Sequence, residues 1–331
     1  MFAGKRTLFR WWPCTSTFNN KDAKARMKLK ENNTPIQAIQ VIFLLLWAAS
    51  VGYLFATDGD WTMGIISLLI FGVALSGLAW FLTRGASVPE TPVVHPAREL
   101  GAVSLYLLIY TFLFLLWGMS YLKTHIEPGR LQEIVILISK LTVHVGLPVL
   151  LLVLLGAKIK PLFDPGLRER RFGRTLIVMG LVLIGLLAVV SPSLGDIAET
   201  GAGIQTLVWI VPFTYIWLML EAGLCEEFLF RAVLQTRVTA VFRSSWAGIV
   251  ITSLVFALVH VPGLYLRGDA DTSGASADLW QVVAYTIAVL SPISVLFGIL
   301  WARTRSLLLV VMLHASVDLL PALAESIRVW G

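Results

Sequence analysis

The chain has 331 residues, of which 57% are apolar and only 14% charged, and its mean hydropathy is +0.81. That composition excludes an ordinary soluble domain and describes a polytopic, all-α integral membrane protein. The formal charge of +6 is no argument for a nucleic-acid partner, because the placement of the charges matters more than their sum.

The first segment, residues 1–34, is a basic tail with eight Lys/Arg against Asp22 and Glu31. It is too long and too charged for the n-region of a secretory signal, and the apolar run that follows is long enough to span and stay. An organellar transit peptide is the competing reading, because acids are sparse. Leu8 to Trp12 suits an interfacial anchor or simply a floppy terminus. Cys14 and Cys225 lie in different kinds of segment and predict no disulfide framework.

Windows of about 20 apolar residues predict eight to nine membrane helices, near 36–57, 62–83, 101–122, 131–156, 175–191, 204–224, 245–261, 280–301 and 306–324. The connecting segments alternate between basic and acidic or neutral. The basic ones hold Arg84 and Arg98, then the run from Lys158 to Arg174, then Arg237 and Arg243, then Arg303 and Arg305. The positive-inside rule therefore puts the N-terminus in the cytoplasm and the C-terminus outside, with the bacterial inner membrane as the expected location and membrane lipids as the surroundings. Residues 35–100 read as an N-terminal hairpin and linker, with a hinge candidate at 83–100, and residues 101–331 as a helical core.

Ionisable groups inside spans are costly and are read as functional or paired. Three clusters stand in the last third. In "EEFLFR", Glu227 and Arg231 are four apart with the acid first, the favourable order for a helical ion pair. Glu226 lies about 100° round the helix and remains available as a base. The bland alternative is a buried network that joins helices. Phe256 and His260 share one helix face, as do His314 and Asp318; either histidine alone reads more simply as a satisfied residue. Counted along the helices, Glu226, His260, His314 and Asp318 reach comparable depths and are able to converge on one cavity. Glutamates, histidines and an aspartate in a wet pocket are equipment for activating water and stabilising an oxyanion, as amide hydrolysis requires.

These motifs resemble the CPBP family of intramembrane proteases, the CAAX prenyl proteases and bacteriocin-processing enzymes also called Abi. The family pattern is EExxxR, FxxxH and HxxxN or HxxxD on successive membrane helices. Glu226 to Arg231, Phe256 to His260 and His314 to Asp318 match it in order, within a region of about residues 175–324. The resemblance implies an endopeptidase without an acyl-enzyme. Glu226 would be the base that activates water with His260, Glu227 would orient that histidine and hold Arg231, and His314 with residue 318 would bind the oxyanion. Asp318 replaces the prenyl proteases' asparagine, a donor, and Ala232 stands where glycine is frequent. With Asp318 present, Glu226, His260, His314 and Asp318 are competent ligands for a divalent metal such as zinc. The glutamic mechanism needs no cofactor.

A peptide or a membrane protein is the implied substrate. Two alternatives stay open: a non-catalytic immunity or scaffold protein with the same network, and, without internal symmetry to support it, a proton-coupled transporter. Lys140 and His144 lie four apart in the fourth span and suit a relay or a substrate contact. A pairing of Lys140 with an acid such as Glu221 is an equal reading. Glu221 itself reads as interfacial or packed, and the loop with Asp269 and Asp271 lacks the other ligands of a calcium site.

Overall fold

The computed structural model describes residues 34–86, 88, 93–167, 171–268 and 272–331. The basic tail up to residue 33, with Leu8 to Trp12 and Cys14, and the loop acids Asp269 and Asp271 lie outside the described residues.

Hydrocarbon offers no partner to an exposed N–H or C=O, so an apolar chain that crosses a bilayer closes its backbone bonds within each segment. Among the described residues there is no strand, and nine helices are long and apolar enough to span. They are α1 (Gln37–Ala56), α2 (Trp61–Leu82), α3 (Pro96–His125), α4 (Arg130–Leu154), α5 (Phe172–Val190), α6 (Ile204–Phe242), α7 (Ser245–Arg267), α8 (Leu279–Thr304) and α9 (Leu307–Trp330). Each expected span falls on one of them.

Successive spans run in opposite directions, and cross-chain bonds fix the two faces. At the basic face, Arg174 Nη2 donates to Leu82 O at 2.5 Å and Leu307 N to Asp164 O at 3.1 Å. At the opposite face, Tyr53 Oη donates to Asp278 at 2.9 Å and Arg130 Nε to Val329 O at 3.0 Å. Helices α8 and α9 are the most enclosed. Helix α7 packs along α8, while α5 and α6 pack along α9. The N-terminal hairpin closes on α7 and α8, with Trp47 Nε1 donating to Ala288 O at 3.0 Å and Ser67 Oγ to Val289 O at 2.6 Å.

The sixth span differs from expectation. Instead of ending near residue 224 it continues for 39 residues to Phe242, about 58 Å of helix at 1.5 Å per residue, or roughly twice the hydrocarbon thickness. The extension is not a solvated loop: Gln235, Thr236 and Arg237 are all buried. Arg237 Nε lies 3.1 Å from Glu99 Oε2, and its Nη1 donates to Ala232 O at 3.1 Å. Glu99 in turn accepts from the N–H groups of Val94 and His95, at 3.0 and 2.9 Å, just before α3 begins at Pro96. The third span thus begins inside the segment expected to be a hinge. Helix α7 also outruns its expected end at 261 and reaches Arg267.

One close approach sets the relation of α6 to α9. A Cβ added to Gly223 would lie 2.7 Å from Val311 O, so only glycine lets the two backbones meet there. One turn onward on each helix come Glu227 and His314.

Removing one partner of a buried ion pair leaves the other charge without compensation, at a cost of about 3–5 kcal/mol. Glu99→Leu is therefore expected to lower the melting temperature of the detergent-solubilised protein sharply. The double variant Glu99→Leu/Arg237→Leu is expected to recover most of that loss, and thermal melts of the three proteins check it.

Candidate functional site

Glu226 and Glu227 stand where α6 passes into a wider π-helical run, Glu227–Gln235. Every residue of that run is buried, so the segment is enclosed by protein on all sides and each polar group needs an internal partner.

Glu227 is fully committed. Its Oε2 accepts from Arg231 Nε at 3.0 Å and its Oε1 lies 2.8 Å from His314 Nδ1, with Glu227 and Arg231 wholly buried. The expected i,i+4 pair is therefore formed. Arg231 Nη1 also donates to Ser294 Oγ on α8 at 3.0 Å, and its guanidinium lies 5.0 Å from the centre of the Phe256 ring. The expectation that Glu227 orients His260 is not met; it holds His314. His260 is oriented instead by its own helix.

The reason lies in the sequence "FALVHVPG". Pro262 has no N–H to continue the ladder of α7, which breaks at Val259–His260 and resumes at Val261. There His260 N bonds Ala257 O at 3.2 Å, which leaves Phe256 O for the imidazole Nδ1, 2.7 Å away. With Nδ1–H donated to that carbonyl, the neutral ring presents Nε2 as an acceptor.

Glu226 is the less committed carboxylate. Its Oε2 lies 3.9 Å from His260 Nε2 and 3.7 Å from His314 Nε2, beyond a direct hydrogen bond but within the span of one bridging water. His314 Nε2 is also 3.4 Å from Asp318 Oδ2. An imidazole with carboxylate oxygens near both nitrogens satisfies them fully only when both carry hydrogen. The four residues Glu226, His260, His314 and Asp318 are thus brought together, with Asp318 at the more exposed edge, its side chain 34% exposed.

Glu226 and His260 open on a cavity of about 220 Å³ between α3, α4, α6 and α7, whose wall includes Tyr110, Lys140, His144 and Arg267. Lys140 Nζ is 2.5 Å from Glu221 Oε1, the pairing read as equally good from the sequence, and it accounts for the third acid of the α6 segment. His144 Nδ1–H donates to Lys140 O at 2.9 Å, so its Nε2 accepts from the Tyr110 hydroxyl at 2.8 Å. Arg267 Nη1 bridges to α3, donating to Leu115 O at 2.7 Å and to Ser120 Oγ at 3.1 Å. Tyr110, Ser294 and Arg267 carried no signal in the sequence, because a lone Tyr or Ser in a span and an Arg near its end are ordinary. Cys225 is buried, with its thiol 3.3 Å from Leu220 O. Among the described residues no group of three or more His, Cys, Asp or Glu is placed to hold a metal ion.

The asymmetry between the two glutamates has a measurable consequence. Glu227→Ala strands Arg231 and His314 in the interior and is expected to cost about 3–5 kcal/mol. Glu226→Gln breaks no direct hydrogen bond and is expected to leave the thermal melt within about 0.5 kcal/mol of the parent.

The family model described as type II CAAX prenyl endopeptidase Rce1-like matches residues 204–320. Comparison with curated proteins found no match, and comparison with solved structures found none. The matched segment runs from the start of α6 into α9 and contains Glu226, Glu227, Arg231, His260, His314 and Asp318. Family match and motif resemblance fall on the same helices, and over that segment this integral membrane protein is similar to the Rce1-like type II CAAX prenyl endopeptidases.

Proposed function

We propose that the protein is an intramembrane endopeptidase in which Glu226 and His260 activate water against a peptide bond. The observation that carries this reading is the spacing of Glu226 Oε2 from the two imidazole Nε2 atoms, 3.9 and 3.7 Å, at the wall of a cavity. Its neighbour Glu227 has both oxygens engaged.

A water in that gap donates its hydrogens to Glu226 and to His260 Nε2, and its free lone pair faces the cavity. Attack forms the O–C bond at the scissile carbonyl, and the water's proton passes to Glu226. The oxyanion that develops is stabilised by the Nε2–H of His314, whose ring is held from behind by Glu227. Asp318 as a carboxylate accepts from that same Nε2–H and does not donate to the oxyanion. It positions the imidazole, a departure from the role of the family's asparagine. As the C–N bond breaks, Glu226 returns its proton to the leaving amine. No step is routed through a metal.

The substrate class follows the resemblance: a peptide or membrane protein, with a prenylated CaaX tail as the first to try. The positive-inside rule orients the N-terminus to the cytoplasm of a bacterial plasma membrane. A non-catalytic scaffold would need the Glu227, Arg231, His314 network equally. It gives no reason for a second, loosely held carboxylate beside two imidazoles.

Loss of a general base typically costs about 10²–10⁴ in rate. Glu226→Gln is expected to reduce cleavage of a farnesylated CaaX peptide and of a membrane-protein peptide pool by that amount, with new termini read by mass spectrometry. Cleavage equal to the parent's would remove the reading.

A further inference from the structure

At the basic face, far along the helices from the Glu226 cluster, the ends of α2, α7 and α8 meet. Their junction encloses a pocket of about 270 Å³, lined by Trp80, Ala86, Trp246, Ile249 and Arg303 among others. We propose that this pocket binds the phosphate of an anionic phospholipid headgroup, held by Arg303 at its wall, with Arg84 and Arg171 adding positive charge from the adjoining turn Thr83–Gly85.

Three guanidiniums gather round the turn Thr83–Gly85. Arg303 and Arg84 each lie against the Trp80 ring, 5.4 and 5.5 Å from its centre. Arg171 packs against Gly85, where an added Cβ would lie 3.0 Å from its Nη1, and that Nη1 is buried without a hydrogen-bond partner. Part of this charge has a structural use: Arg303 Nε and Nη2 donate to Thr83 Oγ1 at 2.7 Å and to Thr83 O at 3.2 Å, closing the end of α2. Its Nη1, Arg84 and Arg171 have no carboxylate partner among the described residues. Like charges held this close repel. An anion that accepts several N–H bonds at once removes that repulsion, and phosphate matches the guanidinium fork.

The surroundings select a lipid as the source of that phosphate. Trp80 and Trp246 are 48% and 50% exposed at the helix ends, and Phe81 and Phe242 next along the surface are 62% and 46% exposed. A polar floor with an aromatic, apolar border fits an amphipathic ligand at the membrane interface, where cytoplasmic-leaflet anionic lipids attract basic side chains. The backbone N–H groups that begin α7 at Ser245 and Trp246 point the same way in charge. A lipid seated there would tie the N-terminal hairpin to α7 and α8, the helices that carry His260 and Ser294.

The test uses the full chain in a neutral detergent. Phosphatidylglycerol is expected to raise the melting temperature and to survive as a bound adduct in native mass spectrometry, while phosphatidylcholine does neither. Arg84→Gln/Arg171→Gln is expected to weaken retention at least about tenfold, the loss of one charge-assisted bond. Equal effects of the two lipids, or unchanged retention in the variant, would overturn the proposal. Full displacement by inorganic phosphate or glycerol 3-phosphate would overturn the lipid as the source. Should the double variant not fold, a photoreactive phosphatidylglycerol on the unsubstituted protein decides. Labelling at residues 80–86 and 245–249 supports the site, and labelling confined to other helices overturns it.

Discussion

The buried carboxylate of Glu227 is the interaction on which the candidate site depends. One oxygen takes Arg231 from its own helix and the other takes His314 from α9, while Arg231 reaches Ser294 on α8. Three helices are thus registered against one another through a single anion that has no access to solvent. In a medium of low dielectric, such a network is rigid when complete and costly when broken. Glu226 is free to be loosely held because Glu227 is not.

The spans were legible because hydropathy measures what lipid tolerates, and five of the nine helices begin and end within a few residues of where composition changes. The failure at α6 has the same origin. Gln235, Thr236 and Arg237 are not lipid-facing; they are enclosed by protein, and Arg237 meets a carboxylate 138 residues away in sequence. No window along the chain registers a partner at that distance. Contacts four residues apart were equally legible, since one helix supplies both groups: Glu227 with Arg231, Phe256 with His260, His314 with Asp318. Which helix faces which was not. That Glu227 meets His314 and not His260 depends on how α6 packs against α9 and on the break that Pro262 imposes on α7, neither of which spacing reveals.

Lys140 and Glu221 show how far a cost argument reaches. A lone ammonium in a span demands an acid, and the two are found 2.5 Å apart. The same reasoning overlooked Glu99, because an acid at a helix start reads as interfacial and Arg237 reads as a loop charge. The acids of the α6 segment thus divide by what surrounds them: one holds a lysine, one holds an arginine and a histidine, and one faces a cavity.

The break in α7 bears on access to that cavity. His260 sits at the joint, and the short helix beyond it ends in Arg267, fastened to Leu115 and Ser120 of α3. Any outward swing of α3 that widened the cavity would have to release Arg267 or drag its helix along, and the drag would act at the residue that aims the imidazole. The width of the cavity and the aim of the ring are thus tied through one short helix.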